Sequence, residues 1–415
     1  MNPPGSIGYP LIGDSSIEFI RDPHKYVQKR KEQHGDIFRG RIGNKPTFFA
    51  TSNKSACEML QEKSCCFEMG YKEFVFDLFD QNIIFQNGHE WQEVRTGLDK
   101  VFTADKVKEY MEMAKPVISG FLSSQDFPVR QPVPIYKTMK KLSTQLTTAL
   151  FLGATPGQPE ADEVSELMTT HWRGVVSVPV SIRLPGAWWR SSYNKALLAK
   201  DGLLKVVEKT AQSDPSSMAS KVVQECPNKV DGFSNMLVFV SAVIPKALAS
   251  LLTSFVMELS KPSHSQWLNC HENEAELDDV MLEVERLWPP FFGGGRMCTE
   301  DCQVAGFNVS KDHRAAYITS HANKDPTCFA DPHKFQPDRW QTHNVTDREI
   351  VLTFGGGPRQ CIGKVLAQKL LRECARQLLA SYTWELTEAS ENVNYKTLPV
   401  LRPLNDNHAV FKRKQ

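Results

Sequence analysis

The residues best placed for chemistry lie near the C-terminus, in Phe354-Gly355-Gly356-Gly357-Pro358-Arg359-Gln360-Cys361-Ile362-Gly363. Glycines, a proline and an arginine lead into a cysteine. An apolar i, i+3, i+4 pattern follows at Ile362, Val365, Leu366, Leu370 and Leu378, which predicts a helix with Cys361 at its mouth. The positive end of a helix and its backbone N–H groups favour sulfur as the thiolate. Glycines let the loop take φ > 0 and press against a flat object. Arg359 reaches toward an anion beside the sulfur. A thiolate, a flat neighbour and an anion-binding arginine together suggest haem on an axial cysteine, with Arg359 on a propionate. The plainer alternative is a glycine-rich turn around an inert, buried cysteine.

The elements that must hold such a site fit a chain of 415 residues, enough for a large core in one extended domain or two small ones. With 41% hydrophobic and 23% charged residues, the composition is that of a soluble globular protein. A net charge of +1 gives no reason to expect nucleic acid. The ten cysteines are spread irregularly. They read as reduced intracellular thiols, and Cys298-x-x-x-Cys302, without a His pair, does not read as a zinc site. The sequons at Asn308 and Asn344 are discounted as chance matches. No signal peptide or anchor is expected, which places the chain inside the cell, cytosolic or at a membrane surface. The apolar run Met236 to Met257 contains Pro245 and Lys246, so it fits a buried central helix better than a membrane span.

In chain order, a Pro/Gly-rich lead-in (1–16) precedes a helix over 17–34, a hairpin over 36–51 and a short helix over 52–61. Trp91 and Arg95 stand i, i+4 on a helix and point the same way, an indole N–H and a guanidinium able to hold a carboxylate. Amphipathic helices are expected over 107–124, 136–152, 161–174 and 191–212. The stretch 213–232 reads as polar and irregular, 233–259 as the central helix, and 382–411 as a final small sheet. Pro245 removes the helix hydrogen bond to the Ser241 carbonyl and predicts a kink. Glu283 and Arg286 are i, i+3 on one helix face, near enough to pair.

Phe-x-x-Gly-x-Arg-x-Cys-x-Gly, from Phe354 to Gly363, resembles the haem-binding loop of the cytochrome P450 family. Further motifs follow the family's order over roughly residues 3–413, nearest to its retinoid- and sterol-oxidising branches and of eukaryotic type. The resemblance implies a mostly α fold with a small β-rich lobe, one haem-thiolate catalytic domain over 1–415, and haem b with Cys361 as its axial ligand. It implies that Trp91, Arg95, Arg296 and Arg359 hold the propionates, framed by Phe354 and Gly363. It also implies a buried structural triad of Glu283, Arg286 and Arg339, with Phe291 and Phe292 facing the substrate pocket. Residues 178–189, with Trp188 and Trp189, look like the family's lid, where the tryptophans either meet a membrane interface or pack beneath the lid.

One place departs from the family. Its central helix usually carries a small-residue pair, then an acid and a threonine that deliver protons to oxygen. Here the matching stretch is Ser241-Ala242-Val243-Ile244-Pro245-Lys246, so Ser241, Ala242 and Pro245 are the candidate catalytic positions. The family's bacterial peroxide-using fatty-acid hydroxylases carry an arginine just before such a proline to bind the substrate's acid; here Ile244 is apolar, and Lys246, on a different face, is a poor substitute for that arginine. The first expectation is a monooxygenase on a lipophilic sterol, retinoid or fatty acid, using dioxygen and an external NADPH-linked reductase. The second, motivated by Ile244-Pro245, is a peroxide-using enzyme: a peroxygenase, or an isomerase or lyase of fatty-acid hydroperoxides. The third is a non-catalytic haem or lipid carrier. A monomer is expected, with peripheral membrane contact at most.

Overall fold

A computed structural model of the protein describes residues 1–9, 16–43, 45–175, 191–341, 348–387, 393–405 and 407–414, with the side chains at 16, 73–75, 242 and 243 outside that description. In chain order the first elements are α1 (Ser16–Arg21), α2 (Pro23–His34), β1 (Ile37–Ile42), β2 (Lys45–Ala50), α3 (Asn53–Leu60), β3 (Phe67–Met69), α4 (Lys72–Phe79) and α5 (Gly88–Val101). Then come α6 (Ala104–Ser123), β4 (Pro132–Pro134), α7 (Ile135–Leu152), α8 (Pro159–Val175), α9 (Ser192–Ser213), α10 (Met218–Glu225), α11 (Lys229–Leu237) and α12 (Ile244–Leu259). The C-terminal part holds α13 (Glu274–Leu287), β5 (Gly294–Cys298), β6 (Cys302–Val304), β7 (Phe307–Val309), β8 (Arg314–Tyr317), α14 (Thr319–Ala322) and α15 (Lys364–Ser381). The last strands are β9 (Tyr382–Leu386), β10 (Tyr395–Lys396), β11 (Arg402–Pro403) and β12 (His408–Arg413). The fold is thus mostly α with small sheets.

The chain divides into two compact units. The first comprises Met1–Gly70, Ser254–Cys361 and Ala389–Asn405. Its main sheet has the order β1-β2-β8-β5-β3, with β2 and β8 parallel and the other pairs antiparallel. The period-two alternation of a strand is visible at Phe48 and Phe49. Phe48 joins the cluster with Met59, Leu60 and Ala315, and Phe49 the opposite cluster with Tyr26, Phe38 and Phe292. The lead-in is strapped to β1, where Arg39 Nε donates to the Gly5 carbonyl at 3.0 Å and Arg41 Nε to that of Ile7 at 2.7 Å.

The second unit comprises Tyr71–Thr253, Ile362–Glu388 and Asp406–Gln415. It holds the helices α4 to α11, α15 and the sheet β4-β12-β9. Between α11 and α12 the chain winds as a π-helix over Val238–Val243. Together they form a continuous helix from Lys229 to Leu259, apolar and long enough to cross a membrane, yet 88% of its apolar window is buried inside the protein. That is the burial expected of a core helix.

Some expectations need correction. The helix expected over 17–34 is two, because Asp22 ends the first and caps the second, its carboxylate accepting from Lys25 N at 3.0 Å. The stretch 213–232 is not irregular. Ser217 caps α10, whose Met218, Ala219 and Val222 are buried, and Asn228 caps α11. Phe292 is 4% exposed and packs among Phe19, Tyr26 and Phe49, a core residue of the first unit. Pro245 is the second residue of α12, directly behind the π-helical turn. A π turn is a common way for a helix to absorb a break in its hydrogen-bond ladder. Asn344 and the whole lid stretch 178–189, with Trp188 and Trp189, lie outside the described residues.

Candidate functional site

Cys361 sits three residues before α15, whose N-cap is Gly363. Its N–H donates to the Phe354 carbonyl at 2.9 Å, which closes the loop on itself. Gly355 (φ +71°) and Gly357 (φ +65°) make the turn in the left-handed region. A Cβ at Gly357 would also collide with the Leu60 carbonyl, so the loop lies directly on the end of α3. Burial raises the thiol pKa of Cys57, Cys226, Cys270, Cys298, Cys328 and Cys374. Cys361, by contrast, is exposed.

Two arginines of the first unit accompany it. Arg359 is half-buried, and burial together with the neighbouring Arg296 guanidinium lowers its pKa to about 10. Arg296, on β5, is 6% exposed and lies over the Tyr317 ring at 5.3 Å. Gly294 is required there, because a Cβ would run into the Tyr317 phenol. Two guanidiniums held this close call for anionic charge between or beside them.

A buried network supports the loop from below. Glu283 is fully buried and receives Arg286 Nη2 at 2.7 Å, Arg286 Nε at 2.9 Å and Arg339 Nε at 3.1 Å. Trp340 Nε1 and Gln336 N add donors at 3.1 and 3.0 Å, so the carboxylate is surrounded by hydrogen-bond donors. Arg286 Nη1 continues to the Asn323 carbonyl at 3.0 Å. The Asn323 side chain accepts from Leu352 N at 2.8 Å and donates to Thr353 Oγ1 at 3.0 Å. Phe354, whose carbonyl holds Cys361, is the next residue. The sequence reading singled out the triad but not Asn323, which has no signature outside its three-dimensional context.

The remaining candidates belong to the second unit. Trp91 and Arg95 share a face of α5, both half-buried, and Arg95 Nε donates to the two Asp99 oxygens at 3.0 and 3.2 Å. Pro245 is buried, and the Ala242 side chain lies outside the described residues. Ser241 is fully buried on the π turn. Its Oγ lies 2.8 Å from the Leu237 carbonyl and 2.8 Å from His171 Nδ1. His171, on α8, places Nε2 2.8 Å from the Leu78 carbonyl. Burial foremost lowers the His171 pKa to about 4, so the ring is neutral at pH 7. Sequence reasoning missed His171, since a single histidine 70 residues from its partner leaves no local pattern. Lys246 is 1% exposed, its Nζ 5.7 Å from the Trp172 ring, and burial lowers its pKa to about 7.

These features fit haem. An added Cβ at Gly363 would meet nothing within 4 Å, and at Gly355 only the Tyr317 hydroxyl at 3.9 Å. The loop backbone therefore borders open space beside an exposed thiol. The arginine pair supplies the counter-charge for two carboxylates.

The sequence profile of the family described as Cytochrome P450 matches residues 3–228 and 276–409. A protein of Synechocystis sp. provisionally named cytochrome P450 120 is 24% identical over 430 residues, covering 97% of this chain and 94% of its own length. Cytochrome P450 26B1 of Danio rerio is 24% identical over 429 residues, covering 93% of this chain and 82% of the relative. Among solved structures, retinoic acid bound cyanobacterial CYP120A1 superposes with a TM-score of 0.86 at 24% identity, covering 100% of this chain and 99% of that one. A bacterial and a vertebrate relative both match at 24% identity, so the expectation of a specifically eukaryotic type is not upheld. The chain belongs to the cytochrome P450 family and is a monooxygenase-type oxidoreductase that works with haem iron on a cysteine thiolate.

Proposed function

We propose that this protein is a dioxygen-dependent monooxygenase that oxidises a lipophilic molecule of retinoid, sterol or fatty-acid type, with a retinoid the first candidate. It takes electrons from an external NADPH-linked reductase and works as an intracellular monomer. The observation that carries the assignment of chemistry is the exposed Cys361 thiol in its glycine loop beside the Arg296–Arg359 pair. Thiolate-ligated haem, when bound, supplies cleavage of the O–O bond and insertion of oxygen into the substrate.

The chain's own residues have separable roles. Cys361 would hold the haem iron through its thiolate. Arg296, Arg359, Trp91 and Arg95 would hold the propionates, and Phe354 and Gly363 frame the ligand loop. Glu283, Arg286 and Arg339 fix the underside of that loop through Asn323. Ser241, just ahead of Ile244 and Pro245 at the acid and threonine positions, pairs with His171. The Leu78 carbonyl can only accept, so His171 Nε2 carries a hydrogen and the neutral Nδ1 accepts from the Ser241 hydroxyl. That hydroxyl has one proton and two acceptors in reach, Nδ1 and the Leu237 carbonyl. A proton arriving at Nδ1 reverses the first bond and completes the second. The pair can therefore take up one proton without losing a hydrogen bond.

Support for the substrate class comes from relatives. One similar structure holds retinoic acid, another hexadec-9Z-enoic acid on an acyl carrier protein, and one relative is a cholesterol 16,22-dihydroxylase. A peroxide-using enzyme is the second reading, favoured by Ile244 and Pro245 at the acid and threonine positions. The test incubates purified haem-loaded protein with retinoic acid, an NADPH-linked reductase and isotopically labelled dioxygen. Labelled hydroxylated product supports the proposal. Product formed only with hydrogen peroxide or a lipid hydroperoxide, without reductase, establishes the second reading instead.

A further inference from the structure

Four cysteines gather at the β3 edge of the first unit's main sheet. Cys65 and Cys66 close the 3-10 turn Ser64–Cys66 that feeds β3, Cys298 ends β5, and Cys302 begins β6. The register places Phe67 opposite Cys298, and Thr299 donates to the Cys66 carbonyl through both its N–H (2.9 Å) and its hydroxyl (3.0 Å). The Sγ atoms are 3.9 Å apart in both Cys65–Cys66 and Cys298–Cys302. The Glu300 carboxylate and the Cys65 and Cys66 sulfurs all lie within 4.8 Å of one another. Cys298 Sγ donates to the Glu300 carbonyl at 2.9 Å and so braces the turn that presents Glu300.

Sulfurs on one tetrahedral zinc, each about 2.3 Å from the metal, are separated by roughly 3.8 Å. Two thiols in simple contact reach a similar distance, so the spacing of one pair decides little. What decides is the convergence of two thiols and a carboxylate from two segments more than 230 positions apart, which is a donor set suited to zinc. We propose that Cys65, Cys66 and Glu300 bind a zinc ion at this sheet edge, with Cys298 bracing the turn that presents Glu300. The ion would staple β3 to β5, the strand that carries Arg296 two residues before Cys298.

The experiment uses the full-length, haem-loaded protein, reduced and then cleared of reductant. Zinc is measured by elemental analysis after gel filtration, and its affinity by competition with a chromophoric chelator. About one zinc per chain is expected. Cys66→Ser should abolish it, while Cys328→Ser should not. Cys65 and Glu300 are exposed, so Cys65→Ser and Glu300→Gln keep the fold and should weaken binding about tenfold or more. Equal zinc content in these two variants and the wild type would overturn the proposal. So would a thiol count two short of ten in denatured, unreduced protein, which would mean a disulfide.

Discussion

His171 Nδ1 and Ser241 Oγ are 2.8 Å apart in a wholly buried pair that joins α8 to the π-helical turn of the central helix. The hydroxyl of Ser241 is thereby shared between an imidazole and the Leu237 carbonyl. Ser241→Ala and His171→Phe should therefore uncouple the enzyme. Product formed per NADPH consumed should fall on the order of tenfold, within the range usual for removing a proton-transfer group. Ser241→Thr should restore most of it. Haem content and NADPH oxidation measured alongside distinguish this from a folding defect. Unchanged coupling in Ser241→Ala would assign the pair a packing role only.

The same histidine makes the protein acid-sensitive. Burial lowers the His171 pKa to about 4, and that of His24 to about 4, from an ordinary 6.5. The unfolded chain then binds more protons than the folded one between those values. Stability is complete above pH 6.5 and lost as pH falls toward 4, by up to ~1.4 kcal/mol per pH unit for each group. Thermal unfolding of His171→Asn should show a shallower fall in Tm from pH 7 to 5 than the wild type.

Lys246 titrates in the opposite part of the scale. Its pKa is lowered to about 7 from 10.5, with burial the main cause and Lys140 adding to it. Stability should rise as pH climbs between those two values, by up to ~1.4 kcal/mol per pH unit. Lys246→Met keeps the volume and removes the charge, so it should raise Tm at pH 7 and flatten this rise. A large loss of stability would show that the ammonium is needed.

Breaking the Glu283 triad should be costly. Glu283→Ala leaves Arg286 and Arg339 without their shared carboxylate, in a site where Glu283 and Arg286 are fully buried. A loss of about 3–5 kcal/mol is expected from chemical denaturation. Asn323→Ala should cost less, but should loosen the Leu352–Phe354 turn and lower haem retention.

The sequence was most informative where chemistry is local. Cys361, Arg359 and their glycines are contiguous, and Trp91 with Arg95 or Glu283 with Arg286 are one helical turn apart. The hairpin over 36–51 declared itself through alternation and a Gly-containing turn. What stayed hidden depends on partners far away in the chain. Asn323 acts only through Leu352 and Thr353, His171 only through Ser241 and Leu78. The cysteines at the β3 edge look scattered because strand register, not spacing, brings the turn that carries Cys66 beside Cys298. Phe292 was expected at the pocket from the family resemblance of its segment, but an apolar aromatic suits a core as well as a pocket, and it packs in the core. The stretch 213–232 looked irregular because its helices are short and their buried faces small.

The most direct measurement is the absorption spectrum of the reduced, carbon monoxide-bound protein, wild type against Cys361→His. The wild type should show the long-wavelength band of a thiolate-ligated haem. The variant should retain haem and lose that band, replaced by the shorter-wavelength band of imidazole ligation. A thiolate band that survives in Cys361→His, or one absent from the haem-loaded wild type, would contradict the assignment of Cys361 as the ligand.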